Sequence, residues 1–388
     1  MIKPWMLASL LAAVPGFCQQ CAPCCPEPKP EPQCRKPVKY EKVCPLVCEA
    51  TLIPAYNQSA MIDTRCPWDL WIEGSYTYWQ AMQDNMEVGI TDSETSSQIS
   101  AGTIVDGHVV NTDFKYRNGF KAGLGVKSDH DDWDVYAEYT WFRSSTHIFS
   151  GSPPDAGSGI GVIIPTVGMP SVIDTDLYTT VSSRWTCNMD LVDAIMGRWY
   201  YVGTKLTFHP FAGARGAWIR QKFNTTYTVA NQSLALAQST AFGDSDNTQQ
   251  KTASWAVGPK MGLDINWMLG KGCRFYGSGS GDILFTRYTK LGFKELHKVS
   301  GSITTAHISQ HNLNTIRTHL DLEMGIGWGT YLDCRNWYLD LAAGYGFQVF
   351  FNQNMFRNFE DSSMRGKSLA PNGNLYIHGL TATMTLHF

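Results

Sequence analysis

Residues 114 to 142 carry a strict alternation of apolar and polar positions. Phe114, Tyr116, Phe120, Ala122, Leu124 and Val126 share one parity, and Lys115, Arg117 and Lys121 share the other with three glycines. After a polar turn the pattern resumes: Trp133, Val135, Ala137, Tyr139 and Trp141 alternate with Asp134, Glu138 and Thr140. A period of two over this length predicts a β-hairpin with one greasy and one charged face. The pattern recurs in Leu70 to Tyr78, Leu206 to Trp218, Trp255 to Trp267, Arg274 to Tyr288, Ile316 to Trp328, Trp337 to Val349 and Tyr376 to Phe388. In the stretch from Trp185 to Gly197 the parity is ambiguous, because Asp190 and Asp193 fall on opposite faces, and a β-bulge would reconcile them.

About ten strands result, joined alternately by long polar loops and short turns. The long loops include 143–184, 224–253 and 289–313; short turns fall near Lys127 to Asp132, Gly270 to Gly272 and Asp333 to Asn336. That asymmetry predicts an all-β fold, an antiparallel transmembrane β-barrel with short periplasmic turns and long extracellular loops. Twelve to sixteen strands is the alternative if the loops hide more. Trp255 and Trp267 share the lipid-facing parity twelve residues apart, about 28 Å along the axis of a tilted strand, close to the apolar band with its girdles. Trp133, Trp141, Trp328 and Trp337 join them as expected girdle residues.

Composition fits this reading: 12% aromatic residues, 13 Trp and 35 Gly. The net charge of −3 gives no basic field for nucleic acid. Residues 1–18 read as a secretory signal peptide, which sends the rest, 67–388 as barrel and 19–66 as a periplasmic leader, to the outer membrane. The leader is rich in proline, and with Cys18 at its boundary holds Cys21, Cys24, Cys25, Cys34, Cys44, Cys48 and Cys66. Such a chain builds no core, and its cysteines are disulfide candidates in an oxidising compartment. Cys273 and Cys334, beside short turns, are expected to be able to pair with them, and Cys187, near a long loop, is not. No metal site or cofactor is expected; the CxxC of Cys21 and Cys24 lacks a second pair and a histidine. The closing Phe388 resembles the C-terminal aromatic signal read by the barrel-assembly machinery. Other expected partners are outer-membrane lipid and lipopolysaccharide, disulfide partners in the envelope, and further copies of the chain.

Three stretches carry a resemblance. They are Gly119-Phe120-Lys121 running into His130-Asp131-Asp132-Trp133-Asp134-Val135-Tyr136 and Glu138-Tyr139-Thr140-Trp141; His209 through Ile219; and Val257-Gly258-Pro259-Lys260-Met261-Gly262-Leu263. Together they resemble the pore-forming outer membrane proteins related to the Legionella major outer membrane protein, a group that includes porin-like proteins of environmental chlamydiae. The likeness covers residues 68–388 and implies a barrel more strongly than any activity.

With the polar parity turned inward, Lys115, Arg117 and Arg317 are expected near the outer mouth and Lys121, Arg215 and Lys260 near the middle. Asp134, Asp264 and Asp340 fall near the periplasmic end, with Glu138, Asp321 and Glu323 deeper in the wall. The two signs are expected in separate zones, with Lys121 opposite Glu138. Ten strands leave a narrow pore at most. Two functions follow: passive diffusion of small polar solutes or ions, or a structural barrel, cross-linked through the leader or acting as a surface adhesin. Enzymatic motifs are weak: Gly277 to Gly281 lacks a following GK[ST], and His307 and His311 are expected in a loop without the glutamate of a zinc protease. An enzymatic barrel of the protease or palmitoyl-transferase kind needs a clustered Ser/His or Asp/His set at the outer rim; His319 with Asp321 is the only candidate, and lumen ion pairing explains it more simply.

Overall fold

A computed structural model describes residues 62, 64, 70–92, 107–128, 133–151, 162–169, 178–228, 245–299, 301–359, 368–369 and 373–388. The signal peptide and nearly all of the leader, with every cysteine before residue 187, lie outside them. Ten strands build the wall: β1 (Leu70–Gln83), β2 (Tyr116–Lys127), β3 (Trp133–Gly151), β4 (Thr180–Arg198), β5 (Leu206–Thr228), β6 (Ser245–Gly270), β7 (Cys273–Val299), β8 (Leu313–Leu332), β9 (Trp337–Asn354) and β10 (Gly373–His387). Each pairs antiparallel with its neighbour in sequence, and β10 returns to β1, with Ser75 opposite Thr383. The sheet is therefore a closed barrel with no free edge along its wall. No described helix is long and apolar enough to cross a membrane; the strands do so.

The turns at one end are tight. Between β6 and β7 only Lys271 and Gly272 intervene, and Gly270, Lys271 and Gly272 all have positive φ (109°, 54° and 81°), the left-handed backbone that glycine tolerates best. Between β8 and β9 a single 3₁₀ turn, Asp333–Arg335, suffices.

At the other end the long loops are partly sheet. A three-stranded sheet joins Glu87–Asp92 to Gly107–Asn111 and Val162–Pro165, and Ser302–Gln310 forms a hairpin with the end of β7. The expected loops 224–253 and 289–313 are largely strand: β5 runs to Thr228, β6 starts at Ser245, and His307 sits in the hairpin opposite Lys294. These extensions are rich in Thr, Gln and Lys, so they lack the apolar stripe that marks the spans. A span needs about 10 residues, whereas β5, β6 and β7 have 23, 26 and 27, so one side of the barrel stands well above the membrane.

Those tall strands explain the ambiguity in β4. No register shift interrupts its pairing with β3 or β5, so there is no bulge. Instead the apolar parity changes face. In the half near the short turns Val192, Ala194 and Met196 point outward to lipid; in the outer half Trp185, Cys187 and Met189 point inward and are fully buried. β5 repeats this, with Ala212, Ala214 and Trp218 outward, then Ile219, Phe223 and Tyr227 inward. One strand thus obeys lipid below and water above. The inward residues merge with Trp79, Phe142, Phe350, Phe356, Leu375 and the small sheet's Val88 and Ile163 into one hydrophobic core inside the outer half of the barrel.

The core is tied to the wall by polar contacts. Tyr227 Oη donates to Val88 O at 2.5 Å, and Met169 N donates to both Glu295 carboxylate oxygens at 3.1 and 3.2 Å. Glu295 lies ten residues beyond Phe285, the outermost exposed lipid-facing residue of β7, hence outside the membrane. Burial pushes its carboxyl up to about 7 against the opposing hydrogen bonds. Folding therefore takes up a proton between about pH 4.5 and 7, so the stability this site contributes is complete below that window and is lost as pH rises through about 7. Amide exchange at Val167 to Met169, corrected for intrinsic rates, should be slower at about pH 5 than at about pH 8. Glu295→Gln should abolish the difference; an unchanged difference would remove Glu295 as its source.

Candidate functional site

The inner half of the lumen is a charged vestibule of about 940 Å³, open toward the short turns. Eight carboxylates and five Lys or Arg side chains line it. Three groups of contacts order these charges.

Near the mouth, His209 on β5 lies between two carboxylates: Nε2 is 3.0 Å from Asp134 Oδ1 and Nδ1 2.9 Å from Asp264 Oδ2. With both ring nitrogens on carboxylates, the geometry suits the doubly protonated imidazolium. Trp199 stacks on the ring at 4.3 Å and donates through Nε1 to Asp134 Oδ2 at 2.8 Å. Across the mouth Arg274 grips Asp340 with two nitrogens, and its Nε donates to Asn266 at 3.1 Å.

Deeper lies a group around Lys121. Its Nζ is 3.5 Å from Glu138 and 5.5 Å from the Trp79 ring. Tyr136 Oη donates toward Glu73 at 3.0 Å and Glu138 at 3.2 Å, and Tyr276 Oη donates to Glu323 at 2.7 Å. The Lys121 to Glu138 pair forms diagonally: the register puts Thr140 opposite Lys121 and Gly123 opposite Glu138. The missing side chain at Gly123 leaves the space, which Tyr136 fills.

At mid-barrel the lumen closes on Arg215, 2% exposed. Its Nε and one terminal nitrogen bind Asp193 at 2.6 and 2.5 Å, and the other donates to Asp282 at 2.9 Å. Lys260 Nζ donates to Asp193 at 2.8 Å, His319 Nδ1 lies 2.6 Å from Asp282, and Asp321 stands 3.9 Å from the guanidinium. β4, β5, β6, β7 and β8 each contribute to this belt, and the hydrophobic core lies beyond it.

The structure revises several expectations. The signs are interleaved, not zoned, because inward-facing cations at the middle find carboxylates on neighbouring strands. His319 bonds Asp282 and not Asp321; the two sit on one strand, and Asp282 lies directly opposite His319 across β7 and β8. Lys115 stays in solvent with Asp113, Arg117 donates to Ser145 O at the outer rim, and Arg317 packs over the Tyr288 ring at 6.0 Å beside the core. Asp193, Asp282, Glu73, Arg274 and His209 are lumen groups that the alternation alone did not single out. Their signal was present in the inward parity of Arg215 and Lys260, two buried cations that required partners. Trp133, Trp141, Trp255, Trp267, Trp328 and Trp337 all lie on the outward parity, none of them fully buried. Among the described cysteines Cys334 is disulfide-bonded, while Cys187, buried, and Cys273, exposed, are free.

The family model described as Legionella pneumophila major outer membrane protein precursor matches residues 63–388. No curated protein matches the chain. Similar solved structures include the outer membrane protease OmpT from Escherichia coli, at 9% identity and a TM-score of 0.36 over 85% of this chain and 99% of that one. The toluene transporter TodX from P. putida matches at 10% identity and a TM-score of 0.28, over 83% and 90%. The transport unit of the E. coli autotransporter AIDA-I matches at 7% and 0.26, over 86% and 94%.

Proposed function

Because the chain belongs to the Legionella major outer membrane protein family, we propose that this outer-membrane barrel is a channel for small polar solutes or ions, held closed in this structure. The vestibule carries the reading. A cavity of about 940 Å³ whose lining sets eight carboxylates, five Lys or Arg side chains and several hydroxyl groups among apolar ones is what a hydrated solute needs, and it runs from the mouth to the Arg215 belt. A barrel with only a structural role would fill that half as it fills the outer one. The belt and the core beyond it then form the gate: passage requires the inward core of the outer half to yield.

Eight carboxylates against five Lys or Arg side chains and the His209 imidazolium still give the vestibule a negative balance, so the open channel should prefer cations. In a planar bilayer with a salt gradient, the refolded full-length protein should show a reversal potential of cation-selective sign. Lys121→Glu, which removes a cation from the vestibule without touching the belt, should raise the cation preference. Folded, inserted protein that stays electrically silent across the voltage range would overturn the channel reading. It would favour the second one, a plugged structural barrel, for which the filled outer half speaks.

A further inference from the structure

The structure assigns a binding site for a phosphorylated glycolipid of the lipid A type to the outward face of β5, β6 and β7, just above the aromatic girdle. It is independent of whether the lumen conducts. Trp218 and Trp255 lie directly opposite each other in the β5 to β6 register, with Phe285 6.0 Å from the Trp255 ring. These rings mark the headgroup level of the outer leaflet. One row further from the membrane Arg220 and Lys290 flank Ala253, and in the next row Lys222 faces Lys251 across the two strands. Lys294 follows beyond, opposite Gln249. All five cations are exposed on the lipid-side parity.

Three features separate this patch from an ordinary solvated surface. Like charges directly opposite on adjacent strands repel, so the Lys222 to Lys251 pair costs stability unless an anion lies across it. The four lysines make no ion pair among the described residues, and the one outward carboxylate near them among those residues, Asp190, is already held by Arg143 at 2.7 Å and Arg220 at 3.3 Å. The patch is also one-sided. On β1, β2, β9 and β10 the corresponding outward residues are uncharged: Tyr78 stacks on Tyr116 at 5.2 Å, and Tyr345 bonds His378. A general attraction to anionic membrane would not need one sector to hold all the charge.

Two to four residues along a tilted strand place Arg220, Lys222, Lys251 and Lys290 roughly 5–9 Å beyond the tryptophans, at the depth of the phosphates on the sugar backbone of such a lipid, with Lys294 one row further out. Its acyl chains would lie on the apolar band below, Val257, Met261 and Ile283, which is exposed. A phosphate bridging Lys222 and Lys251 would turn their repulsion into two charge-assisted contacts.

The test is a titration of the folded full-length protein in neutral detergent with bisphosphorylated lipid A, with its fully dephosphorylated form and with phosphatidylglycerol in parallel. Bisphosphorylated lipid A should bind most tightly. Replacing Lys222, Lys251 and Lys290 together by Gln should weaken it on the order of 100-fold, at roughly fivefold for each lysine, whereas the same three positions as Arg should retain it. Lys271→Gln at the opposite end should leave binding unchanged. Equal binding of the dephosphorylated lipid, equal binding of phosphatidylglycerol, or an equal loss from Lys271→Gln would each overturn the assignment. So would a folded glutamine variant with native affinity.

Discussion

Arg215→Ala should destabilise the barrel by about 3–5 kcal/mol, because it leaves buried carboxylates without their partner. Asp193 would keep Lys260, but Asp282, already with one oxygen unpaired and its side chain fully enclosed, would retain only His319. Urea unfolding in lipid vesicles, followed by tryptophan fluorescence, would measure the loss. The same variant separates two uses of the belt. If the belt is part of the gate, Arg215→Ala should also raise the open probability in a bilayer. Arg215→Met combined with Lys260→Met, Asp193→Asn and Asp282→Asn should recover much of the stability, since replacing a buried ionic group together with all its paired charges is far milder than breaking it. A single Arg215→Ala protein as stable as the parent would mean that water enters the belt freely and that the lumen is not closed there.

The second large effect is expected in the outer core. Trp185 is fully buried on the inward face of β4, edge-on to Phe114 at 5.4 Å, and its indole nitrogen has no hydrogen-bond partner among the described residues. Trp185→Ala should cost about 3–5 kcal/mol through lost transfer energy and the cavity left behind. In a bilayer it should produce frequent openings, because the space opens inside the conduit. Met384→Ala on the lipid face, 56% exposed, removes a similar kind of group without a cavity and should do neither. Silent recordings from a Trp185→Ala protein that is destabilised as expected would show that the core can loosen without opening a path, and would weigh for the structural reading.

The membrane half of each strand was legible because lipid imposes one rule on one parity: Val257, Met261 and Leu263 on β6, or Leu320, Leu322 and Met324 on β8, cannot be anything but outward in a barrel. The outer half was not legible by the same rule. Above Trp218 the solvents exchange places, and Phe223 and Tyr227 belong to the opposite parity for the opposite reason. Read as one continuous pattern, β4 looked interrupted, and the polar ends of β5 to β7 looked like loop. The belt was hidden differently. Arg215, Asp193, Lys260, Asp282 and His319 lie on five strands, and their meeting depends on the stagger between strands, which alternation does not encode. Even within the hairpin of β2 and β3 the register expected from pattern was two residues out.

The tall, cationic ends of β5, β6 and β7 also bear on how the chain reaches its place. They begin on the inner side of the membrane and finish outside it, so Arg220, Lys222, Lys251, Lys290 and Lys294 must all cross. Each would meet a barrier of about 2–4 kcal/mol at the hydrocarbon midplane, and the five would cross together with the polar backbone of the extensions that carry them. Dragging that load through lipid is prohibitive in sum. The outer half must therefore travel through a water-filled passage before the wall closes, so export of these extensions precedes closure of the barrel.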